Sequence, residues 1–523
     1  MTRAVLTYVM LTMFASLAVA VVAEPTVSIY TDAETYYYGD TIEVSLAALN
    51  VGDGMSVDVY VGLLTPDGGL YTLSPYGMSG WSANVEAWIP DIYLPSEFSM
   101  HYTPFFWFDV PCSTPPIGDQ GEYSFAALLT RVGSFDEWVC NVSLARFTVV
   151  ASPVSHYYVD AQSGDDSNDG SADSPWKTIT HGLASALNTP ATIHVTAGTY
   201  TSSTNGETFP LNMKSYVSLI GDSPEKTILD AEGDSRLILC DNVNNLTIQG
   251  FTITGGRADD CGGAGIYCLL SSPTISNNTI SGNFGRWGGG GIYCLHSSPT
   301  ISNNTISDNS AHSDGGAIDC YDSSPTIENN TIIGNTAYVG GGIECYESSP
   351  TIMNNTISDN SADYGGGGIY CSGYYSPTIT SNSILDNSAY NGGGICCGDD
   401  SCPTITNNTI SGNSAYNGGG IYSIWYSWPT IIDCIIWNNR DDLYGCSATY
   451  CCIEDNDSGT GNIHYDPMFV EGPFGDHYLH PDSLCIDAGS QSTEEAGLSD
   501  RTTQADSTPD TGTVDMGYHY PIP

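Results

Sequence analysis

Two columns of carboxylates carry the chemistry that this sequence can offer. In a repeated segment, the residue after a recurring isoleucine reads Tyr267, Tyr293, Asp319, Glu344, Tyr370, Cys396 and Tyr422. Three residues further along come Leu270, His296, Asp322 and Glu347. If neighbouring repeats stack as strands, Asp319, Asp322, Glu344 and Glu347 form one outward patch with tyrosines on either side. Like charges on adjacent strands repel. Such a patch therefore calls for a bound cation, calcium above all, or for carboxyls held protonated. Asp322 and Glu347 would then be metal ligands. Asp319 and Glu344 are the candidate catalytic pair, because paired carboxyls can hydrolyse a glycosidic bond. The rings of Tyr267, Tyr293, Tyr370 and Tyr422 offer flat apolar surface for a sugar. A further aromatic column, Trp287, Tyr338, Tyr364, Tyr390 and Tyr416, lies five residues before the isoleucine.

The elements that position these side chains follow from the repeat itself. Its unit runs Gly-Gly-Gly-Ile-Tyr-Cys, then Ser-Ser-Pro-Thr-Ile-Ser-Asn-Asn-Thr-Ile, then Ser-Asp-Asn-Ser-Ala-Tyr. The six intervals from Ile266 to Ile421 cover 155 residues, a period close to 26. Self-similarity at this period predicts a solenoid. Each unit holds three short β-like runs and no helical pattern, which predicts an all-β right-handed parallel β-helix with one coil per repeat. Side chains alternate in and out along each strand. The isoleucine and the cysteine two residues later then point inward. The column Cys268, Cys294, Cys320, Cys345, Cys371 and Cys397 reads as small apolar filler. Parallel neighbours keep their Cβ atoms near the strand spacing, too far apart for a disulfide. Asn278 to Asn408 and Asn283 to Asn413, one per repeat, read as two amide ladders at the turns.

Both ends of a solenoid need caps. Tyr158-Val159-Asp160, the turn Gly164 to Ser171, and Ser174-Pro175-Trp176-Lys177-Thr178-Ile179 lead into a short amphipathic helix. With Gly198-Thr199-Tyr200, this block resembles the start of exported pectin-lyase-like β-helix proteins and of calcium-dependent pectate lyases. Asp466 to Val470, Cys485-Ile486-Asp487-Ala488-Gly489 and Val514-Asp515-Met516-Gly517 resemble the closing segment of bacterial surface β-helix proteins. Pectate lyases of the resembled kind hold calcium with clustered Asp and use a basic side chain as base. The resemblance therefore implies Asp259 and Asp260 as ligands and Arg257 as base. The sequence departs from that pattern in two ways. Lys226 is its last lysine, and Gly263-Ala264-Gly265 stands where a further carboxylate is expected. The Asp-rich turn at Asp165, Asp166, Asn168 and Asp169 reads as a tight turn before it reads as a calcium loop, since Trp176 stands where an EF-hand closes with Glu.

Upstream, residues 24–152 alternate apolar and polar with period two, which predicts an immunoglobulin-like β-sandwich. Residues 1–23 read as an export signal, residues 153–445 as the β-helix with its N-terminal cap, and residues 446–523 as a C-terminal cap segment. Cys112 and Cys140 are the two cysteines of this segment and could pair. The mature chain is expected to lack a membrane span and to be secreted or held at the cell surface.

Charge narrows the function. The 523 residues carry 59 Asp and Glu against 11 Lys and Arg, a net charge of −48. A nucleic-acid partner is excluded, because phosphate binding needs bases. Acidic polysaccharides would be repelled unless calcium intervened. The reading ranked first is a non-catalytic carbohydrate-binding or adhesive protein whose partner is a polysaccharide or cell-surface glycan. A calcium-dependent polysaccharide lyase or a glycoside hydrolase comes second, and a structural stalk third.

Overall fold

The computed structural model describes residues 25–37, 41–66, 70–73, 81–82, 89–109, 121–134, 137–150, 154–186, 190–259 and 262–522. The expected export signal, Cys112 and Asp260 lie outside the described residues. The chain divides into two compact units, one ending at Pro153 and the other starting at Val154.

In the first unit, Thr26–Thr31, Thr41–Asn50 and Phe98–Asp109 form a three-stranded antiparallel sheet. A second sheet is built around Met55–Leu64, Gly121–Arg131 and Ser143–Val150. The period-two alternation explains the core. Ile42, Val44 and Leu46 are buried one residue in two along their strand, and Val57, Val59, Val61 and Leu63 join the same core.

The second unit is a parallel β-solenoid. Three long sheets of 12, 11 and 10 strands run through its coils, from Ser155–Val159, Gly198–Tyr200 and Leu211–Asn212 onward. A fourth sheet of seven strands begins at Arg257–Ala258 and ends at Ser414–Asn417. The register is the sequence repeat made physical. Ile266, Ile292, Ile318, Ile343, Ile369, Ile395 and Ile421 pair in succession, each fully buried. Two further isoleucines per coil, such as Ile327 and Ile332, fill the same interior. Burying each such side chain is worth about 1.5–3 kcal/mol.

The cysteine column is buried beside them as free thiols, as expected for filler. Burial and thiol-to-thiol bonding hold Cys294 and Cys345 well above the ordinary thiol range, the bonding being the larger cause. The asparagine ladders form as well. Asn330 Nδ2 donates to Asn355 Oδ1 at 3.0 Å and Asn355 Nδ2 to Asn382 Oδ1 at 3.0 Å. Each amide also donates to an isoleucine carbonyl, as Asn355 does to Ile327 at 2.9 Å.

Glycines let successive coils touch. A Cβ on Gly367 would lie 2.5 Å from the carbonyl oxygens of Gly393 and Ser388, neither of which can rotate away. Gly367→Ala is expected to destabilise the solenoid by about 1–3 kcal/mol through overpacking. A fall in the thermal unfolding midpoint checks this.

At the N-terminal end, the helix Ile179–Ser185 is capped by Thr178 Oγ1, which accepts from His181 N–H. Its Ile179 and Leu183 join the solenoid core beside Trp176. The Asp-rich turn is a structural turn. Asp166 Oδ1 accepts from the N–H groups of Lys177 and Thr178, and Asp165 and Asp169 accept from Ser167 and Ser171.

At the other end the sheets run on through Ala448–Thr449 and Cys452–Ile453, past the expected boundary at 445. The repeat consensus fades there, so its last coil carries no signature. The chain then folds back over the final coils. Leu479, Cys485 and Met516 pack on Ile435 and Cys452, and Tyr518 N–H donates to Thr409 Oγ1. His519 Nε2 meets Asp510 Oδ2 at 2.8 Å, both side chains buried. Among the described residues, no helix is long and apolar enough to cross a membrane.

Candidate functional site

Asp319 lies on the strand Ile318–Tyr321 and Glu344 on Ile343–Tyr346. The two strands are neighbours, and Asp319 pairs in register with Glu344. Their Cα atoms are therefore about 4.8 Å apart, with both side chains on the face away from the isoleucines. That face is not open to solvent. Asp319 is 4% exposed and Glu344 is 5% exposed. The expectation of an outward, solvated column is corrected here. The glycine-rich turns before the isoleucines lie against this face, where a Cβ on Gly288 would meet Asp319 Oδ2 and one on Gly340 would meet Glu344 Cβ.

The result is a cleft of about 520 Å³ over Asp319 and Glu344. Two stacked ring pairs line it, one from each sheet. Tyr321 and Tyr346 stand on the strands that carry the carboxyls, with centroids 5.1 Å apart. Tyr338 and Tyr364 come from the seven-stranded sheet, with centroids 5.6 Å apart. Tyr293, Tyr370 and Trp287 extend the aromatic lining. Asp314 and Asp399 add two more acids.

Burial raises the pKa of Asp319 well above the usual carboxylate range, and the nearby Asp314 adds to the effect. Burial also lifts Glu344, followed by repulsion from Asp319 and then Asp314. Asp314 is raised by its own burial, against a bond from Ser313. Like charges on adjacent, buried positions oppose the ionisation of both carboxyls. Asp319 Oδ1 is buried without a hydrogen-bond partner. Its Oδ2 occupies the space above Gly288, where a Cβ would lie 1.9 Å away. Only glycine at 288 leaves room for this carboxyl. The tyrosines respond in turn. Burial first, then the charge of Asp319, pushes Tyr293 up, so its hydroxyl stays a donor.

The other expected site residues fall elsewhere. Asp322 and Glu347 do not join the pair. Each takes a left-handed backbone, φ 47° and 48°, and turns the corner after its strand. Asp322 Oδ2 instead meets His296 Nδ1 at 3.0 Å. Tyr267 stacks on Tyr293 under Arg236 and is not part of the cleft lining. Tyr422 is buried in an apolar cluster with Val339, Tyr370 and Cys396. Arg257 stands outside the cleft lining. Its Nε binds Asp259 Oδ2 at 2.9 Å, and that contact raises its pKa further. Asp260 is outside the described residues. Among the described residues, no group of three or more His, Cys, Asp or Glu converges as metal ligands do.

Two acids of the cleft are absent from the sequence-based expectation, although the sequence holds their signals. Asp314 replaces the Gly262 and Gly288 of the preceding coils, four residues before the isoleucine. Asp399 continues the column of Asp322 and Glu347 two coils on. Tyr321 and Tyr346 replace Leu269 and Leu295 in the same two coils that carry the acid pair.

Residues 236–390 match the family described as right handed beta helix region. Residues 162–241 match a family described as protein of unknown function (DUF1565). A comparison with curated proteins found no match. Similar solved structures include a rhamnogalacturonan lyase, at 13% identity over 61% of this chain and 91% of that one, with a TM-score of 0.30. The A-module of an Azotobacter vinelandii mannuronan C-5 epimerase shares 16% identity over 51% of this chain and 90% of its own, with a TM-score of 0.27. A Yersinia enterocolitica family 28 exopolygalacturonase shares 11% identity over 82% of this chain and 93% of its own, with a TM-score of 0.24. The stacked parallel coils and the matched repeat region make residues 236–390 of this chain a right-handed β-helix region.

Proposed function

We propose that this is an exported carbohydrate-binding β-helix protein whose glycan lies in the cleft over Asp319 and Glu344. One observation carries the reading: stacked tyrosine pairs from two sheets flank a buried carboxyl pair in an open cleft. A sugar ring has an apolar face for the rings and hydroxyls for the carboxyls. Tyrosine and tryptophan suit such a face because each is large and rigid.

Tyr321 and Tyr338 are 40% and 49% exposed, so either can be truncated with little loss of core packing. Isothermal titration against a panel of neutral, acidic and amino-sugar oligosaccharides tests the reading, run with and without calcium. The double variant Tyr321→Ala/Tyr338→Ala is expected to weaken binding about tenfold or more, since each stacked ring contributes about 0.5–1.5 kcal/mol beyond its area. Affinity for no member of the panel, or affinity unchanged in the variant, overturns it. The raised pKa of Asp319 and Glu344 favours a second reading, glycoside hydrolysis with one protonated carboxyl as general acid. Reducing ends that appear with the intact protein and not with Asp319→Asn would establish it.

A further inference from the structure

The cleft has an imbalance that a neutral sugar does not resolve. Four carboxyl groups line it, from Asp314, Asp319, Glu344 and Asp399, and among the described residues no Lys, Arg or His does. Arg286 lies over the outer ring Trp287 at 5.5 Å, outside the lining. Asp319 and Glu344 are stacked in register at the floor, the arrangement in which like charges cost most. Asp319 Oδ1 is buried and unpartnered.

Three ligand classes can be weighed against that geometry. A uronate or sulfated sugar would add negative charge to a cleft lined by four acids, on a chain of net charge −48. A bare calcium ion wants six to eight oxygens around it. Here aromatic rings occupy much of the wall, and the carboxyls do not converge as a ligand set. An ammonium group fits better. It has three donors for carboxylate oxygens and is attracted to the faces of aromatic rings. Carried on a pyranose ring, it would sit over the acid pair while the ring stacks on the tyrosines.

Resting on the carbohydrate reading above, we infer that the cleft selects glycans bearing free amino groups, of the glucosamine type, with the ammonium bound between Asp319 and Glu344. Binding then favours the ionised form of two carboxyls whose pKa burial raises in the empty cleft. The titratable groups around the pair are Asp314 and Asp399, the cleft tyrosines Tyr293, Tyr321, Tyr338, Tyr346, Tyr364 and Tyr370, and the thiols of Cys320 and Cys371 in the core beneath. Burial raises Asp319, Glu344 and Asp314 above the ordinary carboxylate range, so uptake of the amine should release protons from these acids.

The test compares three oligosaccharides of equal length at about 0.15 M salt: a β-1,4-linked glucosamine oligomer, its N-acetylated counterpart and a cello-oligosaccharide. Titrations are run near pH 6 in two buffers of different ionisation heat, which reads protons released. The amine oligomer is expected to bind at least tenfold more tightly than the other two, with net proton release. Asp319→Asn/Glu344→Gln keeps the shape and rings and should abolish both the preference and the proton release. That variant removes only two of 59 acids. Diffuse attraction of the amine to an acidic surface would therefore persist in it, and a preference that survives the double substitution overturns the inference. Equal binding of all three oligosaccharides also overturns it, while leaving the carbohydrate reading intact. Failure of all three to bind overturns both.

Discussion

Replacing Asn355 with alanine is expected to lower the stability of the solenoid by about 3 kcal/mol or more, since each buried partner left unsatisfied costs about 1–3 kcal/mol. Asn355 is fully buried. Its Nδ2 donates to the carbonyls of Ile327 and Met353 and to Asn382 Oδ1. Its Oδ1 accepts from the backbone and side-chain nitrogens of Asn330, at 2.9 and 3.0 Å. Alanine removes every one of these bonds and supplies no substitute. Nothing can enter from solvent, because the turn is closed by the coils on either side. Coils contact mainly their neighbours, so the damage should stay local. Hydrogen exchange is expected to quicken first in the strands Thr326–Glu328, Thr351–Met353 and Thr378–Thr380. Urea unfolding of the variant measures the magnitude. An unchanged midpoint would mean that the amide column is a passive stack and contributes no net stability.

The second large effect is a dependence of stability on pH that comes from the cleft. Asp319 and Glu344 titrate higher in the folded chain than in the unfolded one, where carboxyls lose protons near pH 4. The folded state therefore holds more protons between those values. By linkage, the stability from the pair is fully present below the unfolded pKa and is lost as pH rises through the folded values. Asp314 acts with the same sign. Asp319→Asn/Glu344→Gln removes the titration of the pair and leaves other raised acids, such as Asp442, as they were. The variant should thus unfold at a higher temperature than the parent at pH 8, and the gain should vanish near pH 4. Each unit of displaced pKa is worth about 1.4 kcal/mol, so the difference is expected on the kcal/mol scale. Thermal melts of both proteins across this range decide it. A parallel shift at every pH would place the effect in packing and not in ionisation. The same pair would then combine a stability cost with the affinity for an amine, as functional sites commonly do.

Much of the solenoid is legible in the amino-acid order alone. Ile318, Ile343 and their equivalents recur at a fixed period, and a period of that length with strand-like runs leaves a stacked coil as its consistent solution. The cysteine and asparagine columns are legible for the same reason. One residue per coil at a constant position must meet its own copies above and below. Alternation along the strand also places Asp319 and Glu344 side by side on the outer face, and the register agrees. What fails is the step from one face to one patch. Asp322 and Glu347 are three residues on, and their left-handed turns carry them around the corner. The tyrosine column likewise divides, with Tyr293 and Tyr370 in the cleft and Tyr422 packed in an apolar cluster.

The sequence by itself determined the coil, its register, its filler and its ladders, because these depend on residues that repeat and meet their own copies. Only the tertiary structure decided that the acid pair is buried and which groups face it. Tyr338, Tyr364 and Asp314 come from segments that precede the strands they cover. Whether those segments splay into solvent or fold across the sheet depends on the path of glycine-rich turns. Gly288 and Gly315 are two of them, and side-chain atoms of Asp319 crowd the places where their Cβ atoms would be. Periodicity reports which residues share a column. It does not report which side chains of another sheet line the same face, and those side chains make the outer face over Asp319 and Glu344 a cleft and not a solvated surface.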